Sequence, residues 1–139
     1  MTMIAQDAYQ QIVNGGIVAG FRGAFVPDVA VKSCTLLLEE GIKCFELTMN
    51  SDEPIAAMQA VKAEFGEDAC VGMGTVLDVE TAKRVLDAGA DFIVSPAFQP
   101  DVVAYIVKQD VLMAPGVTTP SEAIQAWNMG VKLLKLFPV

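Results

Sequence analysis

The chain has 139 residues, 53% of them apolar and 19% charged, which is enough for one compact domain over residues 1–139 and too apolar for a disordered tail. Nine basic against seventeen acidic side chains give a net charge of −8 and argue against a nucleic-acid partner; no apolar run approaches the roughly 20 residues of a membrane helix. Histidine is absent, so a Ser-His-Asp triad, a histidine-ligated zinc and a histidine-held haem have nothing to build on, and no other residues space themselves as a metal site.

In chain order, an opening helix is expected over 3–13 and a first strand over 16–21, ending in Gly20-Phe21-Arg22-Gly23. Only two arginines exist, Arg22 and Arg84, and Arg22 at a strand end suits a two-pronged grip on a carboxylate, with a surface ion pair as the plainer role. Pro27 opens a helix over 27–40. A strand over 43–48 carries Glu46, and a helix follows over 53–65. The strand over 69–73 closes on Gly72-Met73-Gly74-Thr75, where glycines let backbone approach a ligand and Thr75 adds a hydroxyl. It is no dinucleotide fingerprint, because a third glycine is missing and Asp78 would repel phosphate. Asp78 caps a helix over 79–88, with Val79, Ala82 and Leu86 as its apolar stripe and Glu80, Lys83, Arg84 and Asp87 outward. A strand over 91–95 ends in Ser95-Pro96, and a helix over 100–108 follows. The strand over 111–115 ends in Pro115-Gly116, which, like Ser95-Pro96, reads as a turn. Thr119 and Glu122 have capping-box spacing around Pro120 for a helix over 120–129, and a last strand spans 132–137. Trp127 and the methionines read as core or interface residues, and Cys34, Cys44 and Cys70 as reduced core residues of a cytoplasmic protein.

Strict alternation of strand and helix implies a parallel sheet packed by helices. The helix-to-strand joints repeat: Glu40-Gly41-Ile42-Lys43, Ala88-Gly89-Ala90-Asp91 and Met129-Gly130-Val131-Lys132. Five residues past the glycine stand Glu46 in the second strand and Lys135 in the sixth. With a side-chain period of two, Phe45 and Leu47 face the helices and Cys44, Glu46 and Thr48 face inward. Likewise Leu134 and Leu136 face the helices, and Leu133, Lys135 and Phe137 face inward. A carboxylate and an amine thus converge near the C-terminal strand ends, where such folds place active sites. Burying a lysine favours its free amine, which forms Schiff bases with carbonyl substrates, and a nearby carboxylate then moves the protons. A Lys135 that snorkels to water and a Glu46 in a plain salt bridge are the alternatives.

These motifs resemble the class I aldolases for 2-keto-3-deoxy-6-phosphogluconate (KDPG), its galactonate epimer (KDPGal) and 4-hydroxy-2-oxoglutarate (KHG). The matching segments are Gly16-Ile17-Val18-Ala19, Phe45-Glu46-Leu47-Thr48, Gly72-Met73-Gly74-Thr75-Val76-Leu77, Phe92-Ile93-Val94-Ser95-Pro96, Ala114 to Glu122, and Leu134-Lys135-Leu136-Phe137-Pro138. The resemblance implies a trimeric (β/α)₈ barrel that splits a phosphorylated keto-deoxy acid into pyruvate and glyceraldehyde 3-phosphate, with a covalent lysine imine and no cofactor. It puts Lys135 in the place of the Schiff-base lysine and Glu46 in that of the general acid/base, with Thr75, Pro96 and Phe137 lining the pyruvate pocket. Many gluconate-type members carry an arginine where this chain has Asn50; Arg22 followed by Asn50-Ser51 resembles the galactonate-type pattern, which implies Arg22 and Asn50 as substrate-binding residues.

A complete barrel has eight strands and about 200 residues or more, whereas six strands are legible here, so a truncated portion of a barrel is expected. The loops that commonly hold phosphate follow strands seven and eight, and these residues offer no candidate for them. The competing readings are another pyruvate-imine lyase or decarboxylase, an inert assembly module on an aldolase scaffold and, last, an open doubly wound sheet binding a nucleotide.

Overall fold

Strand and helix alternate throughout the computed structural model, which describes residues 1–139. Helix α1 (Ala5–Gly15) leads into β1 (Val18–Phe21), α2 (Pro27–Glu39), β2 (Cys44–Thr48), α3 (Pro54–Phe65) and a single 3₁₀ turn (Gly66–Asp68). Then come β3 (Cys70–Gly74), α4 (Val79–Asp87), β4 (Phe92–Ser95), α5 (Pro100–Val107), β5 (Leu112–Val117), α6 (Pro120–Asn128) and β6 (Lys135–Leu136). All strands pair in parallel with their sequence neighbours, in the order β1-β2-β3-β4-β5-β6, so β1 and β6 are edges. This is six strands' worth of the (β/α) barrel expected above.

The boundaries follow local chemistry. Prolines stand at the start of α2, α3, α5 and α6, where a missing N–H costs nothing. The Asp78 carboxylate accepts the Thr81 N–H at 2.7 Å and caps α4. At α6 the capping box is complete: Glu122 Oε2 accepts the Thr119 N–H at 2.9 Å, and Thr119 Oγ1 accepts the Glu122 N–H at 3.3 Å. After α2, α4 and α6 the chain reverses at Gly41, Gly89 and Gly130 with φ of 84°, 98° and 96°, the shared joint seen in the sequence.

Period-two alternation sorts the strands into two apolar layers. Phe45, Leu47, Val71, Met73, Ile93 and Met113 point outward and pack under α2 to α6. Cys44, Cys70, Phe92, Val94, Leu112 and Ala114 point to the concave side, where Ala8 and Ile12 of α1 close the floor. Full burial of such side chains contributes about 1.5–3 kcal/mol each for the large ones. The three cysteines are free and enclosed, and burial pushes the Cys34 thiol up to about 12.

Several expectations need correction. The opening helix begins and ends two residues later than 3–13, because Asp110 and Asp91 claim the extended start: Ala5 N–H donates to the Asp110 carbonyl at 2.8 Å and Met3 N–H to Asp91 at 3.0 Å. The sixth strand is only Lys135–Leu136, since only Gly116 and Val117 of β5 pair with it. Leu134 packs on the outer core, but Leu136 is 65% exposed, with no helix over it. Pro115-Gly116 is strand rather than turn, and a Cβ at Gly116 would strike the Pro96 carbonyl. In α4 the fully buried pair is Ala82 and Val85, with Leu86 only half-buried. Of the two roles expected for Trp127, core or interface, its 58% exposure removes only the core; the Lys132 amine lies 5.2 Å from its ring centroid.

At the N-terminal ends of the strands, Asp91 is 1% exposed yet fully partnered. Its carboxylate accepts the N–H of Met3 (3.0 Å) and of Val71 (2.9 Å) and pairs with the Lys62 amine, which also donates to the Met1 carbonyl at 3.1 Å. An open cavity of about 850 Å³ beside it is lined by the N-terminal strap, α1 and Lys62, at the end of the sheet opposite Glu46. Removing one member of a buried pair strands the other, so Asp91→Ala is expected to cost about 3–5 kcal/mol, read as a lower midpoint in urea unfolding.

Candidate active site

The site is assembled from the C-terminal ends of the strands. In the ladder, Gly20 of β1, Glu46 of β2 and Gly72 of β3 are lateral neighbours, as are Gly116 of β5 and Lys135 of β6. Glycine therefore flanks Glu46 on both sides and Lys135 on its paired side. The Glu46 side chain leans over the next inward position of β3: a Cβ at Gly74 would strike its carboxylate. A Cβ at Gly72 would strike the ring of Phe92, which forms the floor below. The sequence suggests that these glycines open backbone to a ligand. The structure instead gives their space to the Glu46 carboxylate and the Phe92 ring.

Lys135 and Glu46 share this concave side, and each is half-buried. They form no ion pair within 4.0 Å; the chain's one such pair is Lys62–Asp91. They are close enough for their charges to matter. Burial raises the Glu46 carboxyl above its ordinary value, while the positive charges of Lys135 and then Arg22 pull it part of the way back. The Lys135 amine lies 4.7 Å from the ring centroid of Phe137, the next inward residue, so a cation–π contact holds it over the mouth.

The remaining candidates ring this mouth unequally. Thr75 follows β3 with φ of +59°, a conformation that a β-branched residue adopts only under strain, and such strain gathers at functional sites. Pro96 follows β4, and Ser95 is buried with its hydroxyl donating to the Ala97 carbonyl at 2.8 Å, the turn role expected of it. Arg22 is exposed, just past β1, and its guanidinium makes no hydrogen bond or ion pair within the chain. Asn50 is exposed in the turn after β2, and its side chain makes no hydrogen bond to Glu46 or Lys135. The sequence places Thr48 inward and Ser51 beside Asn50 but assigns neither a role: their hydroxyls lie 2.9 Å apart, and through Phe21 and Gly23 they tie the end of β2 to the end of β1. Only the fold brings Ser51 to Gly23.

Two consequences can be measured. The carboxylate tip is flexible, so Gly74→Ala should displace Glu46 with little loss of stability, whereas Gly72→Ala overpacks the Phe92 ring and should cost about 1–3 kcal/mol by urea unfolding. The fold shifts Glu46 toward its neutral form relative to a free carboxyl. Its contribution to stability is full below the ordinary value of 4.5 and is lost as the pH rises through the raised one. Glu46→Gln should therefore raise the melting temperature at pH above that range, and the gain should vanish in acid.

The family model for KDPG and KHG aldolases matches residues 24–139. A 2-dehydro-3-deoxy-phosphogluconate aldolase of Treponema pallidum is 38% identical over 109 residues, which are 78% of this chain and 51% of that one. A 2-dehydro-3-deoxy-6-phosphogalactonate aldolase of Escherichia coli is 30% identical over 122 residues, 88% of this chain and 59% of that one. The fold matches the solved KDPG aldolase of Legionella pneumophila with a TM-score of 0.85 at 24% identity, over 94% of this chain and 63% of that one. The chain thus spans between half and two thirds of the length of these relatives. No helix in it is long and apolar enough to cross a membrane. A parallel (β/α) sheet with glutamate and lysine turned to one concave side, and a family match over most of its length, make this chain a member of the KDPG and KHG aldolase family.

Proposed function

We propose that the chain carries the imine-forming centre of a class I aldolase, which reversibly cleaves a 2-keto-3-deoxy-6-phospho-sugar acid to pyruvate and D-glyceraldehyde 3-phosphate. The observation that carries this reading is that a half-buried lysine and a desolvated glutamate share one concave side, close enough for the lysine's charge to act on the carboxyl.

In this mechanism the unprotonated Lys135 amine adds to the C2 carbonyl, and loss of water leaves an iminium. Breaking the C3–C4 bond sends its electron pair into that iminium and yields an enamine. Glu46 takes the proton of the C4 hydroxyl as the aldehyde departs. Protonation at C3 and addition of water then release pyruvate and return the free amine. The iminium is the electron sink, so the reaction needs no cofactor.

A raised carboxyl pKa suits Glu46 to both giving and taking a proton. Thr75, Pro96 and Phe137 line the pocket for the pyruvyl part, and Arg22 grips the carboxylate. Arg22 with Asn50-Ser51 supports a galactonate-type substrate over a gluconate-type one. The exposed Ile124, Trp127 and Leu136 are consistent with association into the homotrimer that the family resemblance implies. The chemistry is that of a cytoplasmic sugar-acid enzyme.

Borohydride reduction in the presence of pyruvate tests the centre directly. The expected adduct maps to Lys135 by mass spectrometry and disappears in Lys135→Ala, while Glu46→Gln slows cleavage more than it slows imine formation. An absent adduct, or one shared equally with Lys132, overturns the reading for this chain.

A further inference from the structure

We propose that Ser51 and Thr48 are positioning residues, forming a hydroxyl chain that holds Arg22 in place for the carboxylate end of a 2-keto acid. The ligand's identity rests on the aldolase reading above; the positioning itself does not.

Arg22 is exposed and its guanidinium has no partner in the chain, so nothing local fixes the side chain. Its backbone neighbours, however, are both held. Thr48 is 3% exposed and ends β2 on the concave side. Its Oγ1 lies 3.2 Å from the carbonyl oxygen of Phe21 and 2.9 Å from Ser51 Oγ. Ser51 Oγ in turn accepts the Gly23 N–H at 3.0 Å.

Proton counting then orders the chain. Each hydroxyl has one proton to give. Thr48 must donate to Phe21, because a carbonyl can only accept. The proton between the two hydroxyls therefore comes from Ser51, whose oxygen is left to accept from Gly23. The sequence of donors runs Gly23 N–H, Ser51 O–H, Thr48 O–H, Phe21 C=O, with every donor used and all aligned in one direction, an arrangement in which each bond polarises the next. It begins on the residue after Arg22 and ends on the residue before it.

Two further features tighten the same loop. The Asp52 N–H donates to the Gly23 carbonyl at 3.0 Å, and Gly23 turns the chain at φ of 102°, which favours glycine. Arg22 thus sits at the centre of a backbone clamp built by the turn after β2. A grip whose backbone is ordered beforehand loses less freedom when ligand binds. This gives Ser51 a role toward substrate that no contact of its own with substrate requires.

The test is a double-mutant cycle read in two ways. The first readout is the pyruvate concentration that half-saturates borohydride trapping on Lys135. Ser51→Ala should raise it roughly three- to tenfold, and Ser51→Thr, which keeps the hydroxyl, should restore it. In an Arg22→Met background Ser51→Ala should have no further effect, because the serine acts through the arginine. The second readout is the titration midpoint of the Glu46 carboxyl by carbon-13 NMR, which needs no catalysis. The charged groups facing Glu46 are Lys135 from β6 and Arg22 from the loop after β1. Ser51→Ala should raise that midpoint with Arg22 present and leave it unchanged with Arg22→Met.

An unchanged half-saturation together with an unchanged Glu46 midpoint overturns the positioning role. So does an effect of equal size in the Arg22→Met background, which would mark Ser51 as merely structural. If the parent chain traps no pyruvate, the aldolase reading fails and the Glu46 titration alone decides the positioning role.

Discussion

A carboxylate occupies the concave side of this sheet because the neighbouring strands offer no side chain to compete with it. Glu46 lies between Gly20 and Gly72 in the ladder, and its tip rests where a Cβ of Gly74 would be. An alanine at Gly74 would take that space, and one at Gly72 would lift the Phe92 ring that floors the site. Gly72 and Gly74 thus work as a negative of the side chains they accommodate. The same device recurs on the far side, where Gly116 is the ladder partner of Lys135 and yields its space to the Pro96 carbonyl.

The placement is electrostatically unfavourable to folding and suited to proton transfer. Desolvation works against the Glu46 carboxylate more strongly than Lys135 and Arg22 work for it. A closer ion pair with either cation would remove the strain and also pin the carboxyl in its charged form. The observed compromise leaves two cations at a distance and a carboxyl ready to exchange protons. Asp91 shows the contrasting solution at the other end of the strands. It is more deeply buried, but two backbone N–H groups and the Lys62 amine satisfy it, and it is free to be purely structural. The two acidic residues divide the sheet into an end that is locked and an end that is left open to chemistry.

Much of this was legible in the sequence, and the reasons differ by feature. Helix starts were readable from prolines and from Asp78, Thr119 and Glu122, since capping is a local negotiation between a side chain and nearby N–H groups. The inward aim of Glu46 and Lys135 followed from a period of two and a repeated glycine joint, both independent of tertiary detail. What escaped depended on which atoms become neighbours across strands. Nothing local distinguishes a glycine that admits ligand from one that admits Phe92 or Glu46. Pro115-Gly116 carries turn residues yet continues β5, because its surroundings are set by Pro96 twenty residues earlier in register rather than by its own propensity. Trp127 and Leu136 are apolar enough for a core, but no element of this chain covers them. The hydroxyl chain of Thr48 and Ser51 is invisible without the fold, for it closes on residues 27 and 28 positions away.

The open edges bear on how the chemistry is distributed along the chain. The sheet has two unpaired edges, at β1 and β6, and the residues argued to form and resolve the imine lie on or just after β1, β2, β3, β4 and β6. Arg22 directly follows β1 and Lys135 lies in β6, so the two cations stand at the two unpaired edges of the sheet. A closed wall would exclude water and strengthen every interaction described here, since the same charges act more strongly in a low dielectric. At the two edges the contacts are local: the Phe137 ring lies against the Lys135 amine, and the hydroxyl chain ties the backbone on either side of Arg22. Order at the Arg22 turn is therefore carried by bonds between the turns after β1 and β2 alone.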